Sequence, residues 1–170
     1  MLCLLFCGIL ACDNTSKDSS TSEISKSTES KDSLVGAKNV DTSKAALKQK
    51  LEREGYETFY YINEKTQDTT VMKQYYMAFL KRGPIRSQNE EEAARLQKEH
   101  LAHLEKMYKL GYADVSGPFG DVRDLRGLTI YGVPTMEMAD SLANADPLVK
   151  SGGLVIEIRP WWAGYGLILR

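Results

Sequence analysis

Cysteine and histidine are scarce in this sequence, and their scarcity excludes several kinds of chemistry. The three cysteines, Cys3, Cys7 and Cys12, all lie near the start of the 170 residues. Residues 13–170 therefore contain no cysteine for a disulfide or a thiolate metal site. Only two histidines are present, His100 and His103, which excludes a histidine-rich metal site. We expect no metal and no cofactor, so any catalysis must use histidine, carboxylates, hydroxyls, arginine or lysine.

A large excess of either charge is also absent. The sequence has 22 lysines and arginines against 23 aspartates and glutamates, a formal net charge of -1. No segment combines a basic stripe with aromatic side chains that could stack on bases. We therefore expect no nucleic-acid partner.

Residues 1–12 have the pattern of an export signal. Residues 1–11, MLCLLFCGILA, form an apolar run that is too short to span a bilayer and suits a signal-peptide core. The run leads into Ile9-Leu10-Ala11-Cys12, which resembles the lipobox of bacterial lipoproteins. The resemblance implies cleavage before Cys12, lipidation of Cys12, and anchoring in the bacterial cell envelope on its periplasmic or surface face. The alternative is a hydrophobic strand or helix buried in the fold.

Residues 13–44 are expected to form a disordered tether. They are rich in serine, threonine, aspartate, glutamate and lysine, with scattered apolar residues. Such a segment cannot bury enough apolar surface to offset its loss of chain entropy. As a flexible coil it would reach about 30 Å, enough to hold a folded domain away from a membrane surface.

Residues 45–70 are expected to form an extension that precedes the main domain at residues 71–170. Residues 45–54 contain good helix formers and are followed by Gly55, a natural helix stop. Residues 56–61 and 69–80 are rich in β-branched and aromatic residues and flank a polar turn, which predicts a hairpin. The second arm is apolar on both faces, which is typical of a central strand.

The best-defined predicted helix covers residues 88–110 and carries both histidines. Ser87 and Glu90 have the spacing of a capping box at its start. His100 falls inside the apolar stripe of the helix, and His103 lies at the edge of that stripe. The stripe consists of the residues that recur on one face at 100° per residue: Ala93, Leu96, Leu101, Leu104, Met107 and Tyr108.

The remaining pattern completes a β-α-β-β-α-β order. Strands are predicted at residues 113–119, 126–133 and 154–161, and a second helix runs from a cap at Thr135 to residue 145. The expected fold class is α+β, a ferredoxin-like βαββαβ fold with both helices on one face of the sheet. The other face would expose apolar side chains, which predicts a face-to-face homodimer of the dimeric α+β barrel type.

Motifs spread over residues 75–162 resemble the YCII-related (YciI-like) domain family. In chain order they are YYMAFLKRGPIRSQ, His100-Leu101-Ala102-His103-Leu104, Gly117-Pro118-Phe119-Gly120-Asp121, Leu125-Arg126-Gly127, Asp146-Pro147 and Ile158-Arg159-Pro160-Trp161-Trp162. The resemblance implies a dimeric ferredoxin-like barrel whose active site pairs a helix histidine, here His100, with an aspartate, here Asp146. It also implies elimination chemistry, such as dehydrochlorination of a chlorinated hydroxyquinol. The extension at residues 45–70 and the N-terminal signal are additions to the family pattern.

The two proposed catalytic residues also have structural interpretations. His100 could be a core histidine bonded to a backbone carbonyl. Its apolar surroundings, however, favour the neutral ring, which is the form able to accept a proton. Asp146 precedes a proline, where aspartate is a common helix stop and caps local amides.

Five further residues are candidates for substrate binding: Asp121, Arg126, His103, Trp161 and Tyr75. Asp121 lies in a glycine-flanked turn, where aspartate is also a turn former. Arg126 precedes a strand and could hold an anionic substrate or remain solvated. Tyr75 could line an inter-subunit cavity or pack within the core, whereas Trp161 could wall a pocket or close the dimer.

Two classes of function remain open. The first is a cofactor-free, lyase-like acid–base enzyme that acts on a small planar molecule, with His100 as general base and Asp146 as its orienting carboxylate. The alternative is a non-catalytic domain that binds a small molecule or a protein at the envelope. A relation to the haem-degrading or quinol monooxygenases with similar barrels is disfavoured because the family motifs differ.

Overall fold

A computed structural model describes residues 41–85 and 89–167. The predicted signal peptide at 1–12, the tether up to residue 40 and the Ser87 cap lie outside the described residues. The described elements are α1 (Thr42–Arg53), β1 (Thr58–Ile62), β2 (Thr69–Arg82), α2 (Glu90–Lys109), β3 (Ala113–Pro118), β4 (Leu125–Tyr131), α3 (Met136–Asn144), α4 (Pro147–Lys150) and β5 (Leu154–Gly164). Among these helices, none combines the length and the apolar character needed to cross a membrane.

Two helices begin at other residues than the sequence pattern suggested, and side-chain caps explain both starts. Helix α1 begins at Thr42 rather than at residue 45, because the Asp41 side chain accepts a hydrogen bond from Ser43 N. Helix α2 begins at Glu90, where Asn89 is the N-cap and accepts from Glu92 N at 2.8 Å. Asparagine and aspartate are among the strongest N-cap residues, so short polar side chains set both boundaries.

Strand β2 is the centre of an antiparallel five-stranded sheet. Strand β5 pairs along one edge of β2, from Met72 to Arg82. On the other edge, β1 pairs with the first part of β2 and β4 with the second part, and β3 lies outside β4. From β2 onward the spatial order is β5-β2-β4-β3, which is the ferredoxin-like arrangement and confirms the predicted fold class. Helix α4 is an additional single turn between α3 and β5.

Helices α2 and α3 cover one face of this sheet and enclose the core. The alternation along β2 directs Tyr76 and Ala78 to this face, and both are buried. Met107 from α2 and Ala139 from α3 pack against them. The other buried members of the cluster are Ala113, Tyr131, Val133 and Ala143. This packing attaches α2, which carries both histidines, to the sheet.

The opposite face of β2 carries Tyr75, Met77 and Phe79, which are only partly buried. Antiparallel pairing places Trp161 opposite Tyr75 with ring centroids 6.1 Å apart. Trp161 remains 41% exposed on this face. We call this the open sheet face; it is apolar and aromatic, as the βαββαβ arrangement predicts.

The extension is joined to the sheet around one buried lysine. Lys73 Nζ lies 4.0 Å from the ring centroid of Tyr56, 4.6 Å from that of Tyr75 and 5.7 Å from that of Tyr165. It also donates a hydrogen bond to the Gly132 carbonyl at 3.2 Å. Burial lowers the pKa of Lys73, and the aromatic rings supply part of the stabilisation that its ammonium loses on leaving water. Residues from the extension, the sheet and the C-terminal segment thus meet at a single cation.

Candidate active site

Helix α2 carries His100 to the interior of the helix–sheet layer. Leu96, His100 and Met107 are the buried residues of α2, and they recur at helical spacing on one face. Three glutamates in the first turn and two lysines in the last turn complement the helix dipole and stabilise this long element. His100 is 8% exposed, so its ring is packed but retains an accessible edge.

Asp146 reaches His100 because the chain changes direction between α3 and α4. Pro147 occupies the first turn of α4, and Asp146 is its N-cap. Asp146 Oδ1 accepts a hydrogen bond from Leu148 N at 2.8 Å, and Oδ2 lies 2.6 Å from His100 Nδ1. The carboxyl group is therefore held by the backbone on one side and by the imidazole on the other.

This arrangement determines which nitrogen of His100 is available for chemistry. An ionised carboxylate can only accept hydrogen bonds, so the hydrogen of the neutral imidazole lies on Nδ1 and is donated to Asp146. The lone pair of Nε2 is then free to accept a proton. A histidine with this tautomer and a fixed ring orientation has the properties of a general base.

His100 lines a cleft of about 590 Å³ between α2, β4 and the start of β5. This volume is within the usual range for small-molecule sites. Its walls are mainly aliphatic, with contributions from Leu80, Ile85, Ala93, Leu96, Leu101, Leu104, Leu128, Leu148 and Leu154. The polar or charged side chains in the lining are Glu92, Gln97, His100, Arg126, Thr129 and Ser151. The cleft can hold a small molecule against the imidazole.

Glycines allow the walls of the cleft to approach one another. A Cβ atom at Gly127 would lie 2.9 Å from the carbonyl oxygen of Gly117 on the neighbouring strand. A Cβ atom at Gly83 would lie 2.1 Å from the carbonyl oxygen of Gly152. Because both clashes involve backbone atoms, a larger residue at either position would force two backbone segments apart. At Gly127, which lines the cleft together with Gly117, this would displace a wall of the cleft.

Arg126 is the predicted binding residue that shares this cleft with His100. It lies at the start of β4, is half-buried, and donates a hydrogen bond to the Arg123 carbonyl at 3.4 Å. Asp121, by contrast, is exposed, does not line the cleft, and pairs with Arg123 at 3.2 Å. Asp121 thus has the position of a surface turn residue.

His103 lies on the same helix but outside the lining of the cleft. Its Nε2 donates a hydrogen bond to the Leu142 carbonyl of α3 at 3.1 Å, which ties the two helices together. Burial lowers the pKa of His103 below its usual value of 6.5, although the charge of Asp146 acts in the opposite direction. The side chain of His103 therefore contacts α3 and not the cleft beside His100.

Tyr75 and Trp161 do not line the cleft beside His100, so their suggested part in substrate binding stays a prediction. Both side chains belong to the open sheet face, whereas the cleft lies on the helix-covered face. Successive residues of a strand point to opposite faces, so Tyr75 and its neighbour Tyr76 cannot serve the same side. Burial raises the pKa of Tyr75 to about 12, so its phenol stays protonated near neutral pH.

Three uncharged polar residues of the cleft, as well as Glu92, were not among the candidates predicted from the sequence. Gln97 lies three residues before His100 on α2, so helical spacing could have indicated it. Thr129 follows Gly127 by two residues on β4, and its hydroxyl lies 3.0 Å from that of Ser116. Ser151 follows α4 and donates to the Leu148 carbonyl, and nothing in its sequence context singles it out.

The described residues contain no group of three or more histidine, cysteine, aspartate or glutamate side chains that could hold a metal ion. The His100–Asp146 pair has the geometry of an acid–base site because the carboxylate fixes the orientation of the imidazole.

Part of the chain is similar to known proteins in sequence and in structure. Residues 74–162, just over half of the chain, match the sequence model of the YCII-related domain. One similar solved structure is the 5-chloro-2-hydroxyhydroquinone dehydrochlorinase from Burkholderia phenoliruptrix AC1100, in complex with 2,5-dihydroxybenzoquinone. It is 21% identical, with a TM-score of 0.39, and the match covers 51% of this chain and 92% of that chain. No curated protein matches the chain.

Proposed function

The chain belongs to the YCII-related domain family, and we propose that it is a cofactor-free, lyase-like acid–base enzyme acting on a small planar molecule beside His100. The observation that carries the proposal is the 2.6 Å contact between His100 Nδ1 and Asp146 Oδ2 in the wall of a cleft. A general base that is held in position by a carboxylate can abstract a proton from a bound substrate.

The proposed reaction begins when Nε2 of His100 takes a proton from a carbon of the substrate. The electron pair of that C–H bond forms a new double bond, and the bond to the leaving group breaks, so that the leaving group departs with its own electron pair. The imidazolium formed on His100 is stabilised by the neighbouring Asp146 carboxylate. The imidazolium then returns its proton to the leaving group or to water. A planar conjugated substrate favours this route because it delocalises the charge that develops at carbon.

Hydrogen exchange can test the first step even while the substrate is unidentified. Full-length protein would be incubated with pooled small metabolites in deuterated water, and loss of C–H signals or appearance of elimination products would be followed by NMR. We expect His100→Gln to abolish exchange, because a glutamine amide can still bond to Asp146 but cannot accept a proton. His103→Gln is the matched control and should retain exchange, since its amide can still donate to the Leu142 carbonyl.

The same experiment separates the enzyme from a non-catalytic binding domain. Binding of a metabolite with no exchange in the wild type would favour the binding function. Exchange that persists in His100→Gln would refute the role given to this histidine. In either case the stability of each variant is measured by urea unfolding, so that loss of folding is not mistaken for loss of catalysis.

We also propose that the protein forms a homodimer through the open sheet face. The apolar and aromatic side chains of Tyr75, Met77 and Trp161 support this, because a monomer would leave them in water. Met77→Asp should shift the sedimentation coefficient to that of a monomer. Tyr108→Asp, at a 68% exposed position on α2, should leave it unchanged. A wild-type protein that sediments as a monomer at high concentration would refute the dimer.

Finally, we propose that Cys12 carries a lipid that anchors the protein to the cell envelope. The lipobox-like residues 9–12 support this assignment. Growth of an expressing bacterium with a labelled fatty acid should label the wild type and leave Cys12→Ser unlabelled and released from membranes. Cys7→Ser is the control for the neighbouring apolar run. Labelling that survives the loss of Cys12 would contradict the proposal.

A further inference from the structure

We infer that the cleft beside His100 binds an organic anion with an apolar body, and that Arg126 holds its anionic group. This inference rests on the proposed function of the cleft and specifies the class of substrate. Among the described residues that line the cleft, Arg126 carries the only permanent positive charge. An arginine in such a position offers a planar fork of donors that matches a carboxylate or another delocalised oxyanion.

Most N–H donors of the Arg126 guanidinium have no partner among the described residues. Its described hydrogen bond goes to the Arg123 carbonyl, at 3.4 Å and through one nitrogen. Within residues 41–85 and 89–167, no carboxylate forms an ion pair with it, whereas neighbouring Arg123 is paired with Asp121 at 3.2 Å. A half-buried arginine without an anionic partner is thus available to a ligand that enters the cleft.

The two carboxylates near the cleft, those of Glu92 and Asp146, do not form ion pairs with Arg126. Glu92 lines the cleft in the first turns of α2, but its side chain is 44% exposed and lies 3.9 Å from Arg95. Asp146 lies behind the imidazole and is committed to His100 and to Leu148 N. The two carboxylates therefore have partners of their own.

The remaining lining defines the body of the ligand. Leucines dominate the walls, and Ile85 and Leu101 at the rim are 56% and 55% exposed. Exposed apolar side chains beside a leucine-lined cleft gain stability when an apolar group covers them. An unsubstituted inorganic anion would leave these walls in contact with water, so a ring or short hydrocarbon chain fits better.

The positions of the lining residues along β4 and α2 indicate how large a ligand the cleft can hold. Thr129 and Arg126 both line the cleft, a separation of about 10 Å along β4. Their odd spacing would normally place them on opposite faces, but the pairing with β2 shifts register and skips Arg126, which interrupts the alternation there. Glu92 lies two turns before His100, about 12 Å along α2. Together with a cleft volume of about 590 Å³, these extents leave room for one substituted ring with its anionic group directed toward Arg126.

Matched probes that differ only in charge test the inference on the full-length protein. Benzoate, benzamide and benzylammonium would be titrated into the ¹⁵N-labelled protein, and dissociation constants taken from the amide shifts of cleft residues such as Gly127 and Thr129. We expect benzoate to bind most tightly. Arg126→Gln should weaken benzoate binding about ten- to a hundredfold, the effect of losing a charged hydrogen-bond pair, and leave benzamide binding unchanged.

Three further variants act as controls. Arg123→Gln removes an equal charge three residues away, from a side chain that is 85% exposed, and should leave benzoate binding intact. Arg126→Lys keeps the charge but loses the planar fork, so it should give an intermediate affinity. His100→Gln should keep the preference for benzoate over benzamide.

Several results would overturn the inference. These are equal binding of benzoate and benzamide, tighter binding of benzylammonium, equal loss in Arg123→Gln and Arg126→Gln, or the absence of benzoate-dependent shifts in the cleft. The proposed function fails separately, when His100→Gln retains proton exchange while the charge preference at Arg126 still holds.

Discussion

Replacing Asp146 by asparagine should reverse the tautomer of His100 while leaving the fold intact. In the wild type, Oδ1 caps α4 through Leu148 N at 2.8 Å, and Oδ2 accepts from His100 Nδ1 at 2.6 Å. In the variant, the amide oxygen remains toward Leu148 N, because the opposite flip would direct two donors at each other. The amide nitrogen then donates to His100 Nδ1, so the ring hydrogen moves to Nε2, the nitrogen that the proposed reaction needs free.

The cost in stability follows from which contacts survive. Asparagine is as good an N-cap as aspartate, so the cap on α4 is retained. A charge-assisted hydrogen bond worth about 1.5–3 kcal/mol is exchanged for a neutral one worth about 1 kcal/mol. We therefore expect the free energy of unfolding to fall by about 1–2 kcal/mol. Asp146→Ala should cost more, about 3–5 kcal/mol, because it removes the cap and leaves the buried imidazole without its partner.

Long-range ¹H–¹⁵N correlation spectra of the imidazole nitrogens provide the assay. The spectrum of His103→Gln identifies the signals of His100, since the sequence has only two histidines. Above the pH at which the ring is protonated, the wild type should show a hydrogen on Nδ1 and Asp146→Asn a hydrogen on Nε2. The same tautomer in both proteins would refute the orienting role of Asp146. Once a turnover assay is established, Asp146→Asn should lower kcat by several orders of magnitude, as in other histidine–aspartate pairs.

Three further predictions concern the structure around the cleft. Burial lowers the pKa of His103 below 6.5 in the folded protein, so the stabilising contribution of the neutral ring is complete above pH 6.5 and is lost as the pH falls through the lower pKa of the folded state. Urea unfolding between about pH 7 and pH 5 should therefore show a weaker dependence of stability on pH in His103→Gln than in the wild type. The same dependence in both proteins would contradict this. Lys73→Ala should destabilise the protein by about 2 kcal/mol and speed amide exchange in α1, because the desolvated cation–π contacts are lost. Lys65→Ala, at an exposed turn, is the control. Equal unfolding midpoints for these two variants would refute the prediction. Gly127→Ala should lower the free energy of unfolding by about 1–3 kcal/mol and weaken ligand binding, because the new Cβ would meet a backbone oxygen at 2.9 Å. Gly120→Ala should leave the stability unchanged, because the space around its Cβ is open. Equal thermal unfolding midpoints for the two variants would contradict this prediction.

The local pattern of the sequence predicted much of the secondary structure. Apolar residues at helical spacing identified α2, and alternating or continuous apolar runs identified the strands. The boundaries were less predictable. Ser87 and Asn89 are both good capping residues at neighbouring positions, and α2 begins after Asn89. Such choices depend on small differences in local hydrogen bonding, which spacing alone does not resolve.

The candidate site shows the same division between local pattern and tertiary contact. His100 was singled out by its place in the apolar stripe, and Asp146 by the family motif before Pro147. Their separation of 46 residues along the chain means that only the packing of α2 against the α3–α4 corner brings the ring and the carboxylate to 2.6 Å. Tyr75 and Trp161 were suggested as binding residues from their chemistry alone, and only the pairing of β2 with β5 shows that they share the open sheet face rather than the cleft.

By itself, the sequence determined the order of the helices and strands, and hence the ferredoxin-like α+β class, because periodicity and turn chemistry are local properties of the chain. Only the tertiary structure decided which side chains share the cleft with His100. That outcome depends on strand register and helix packing, where a shift of one residue moves every side chain of a strand to the opposite face.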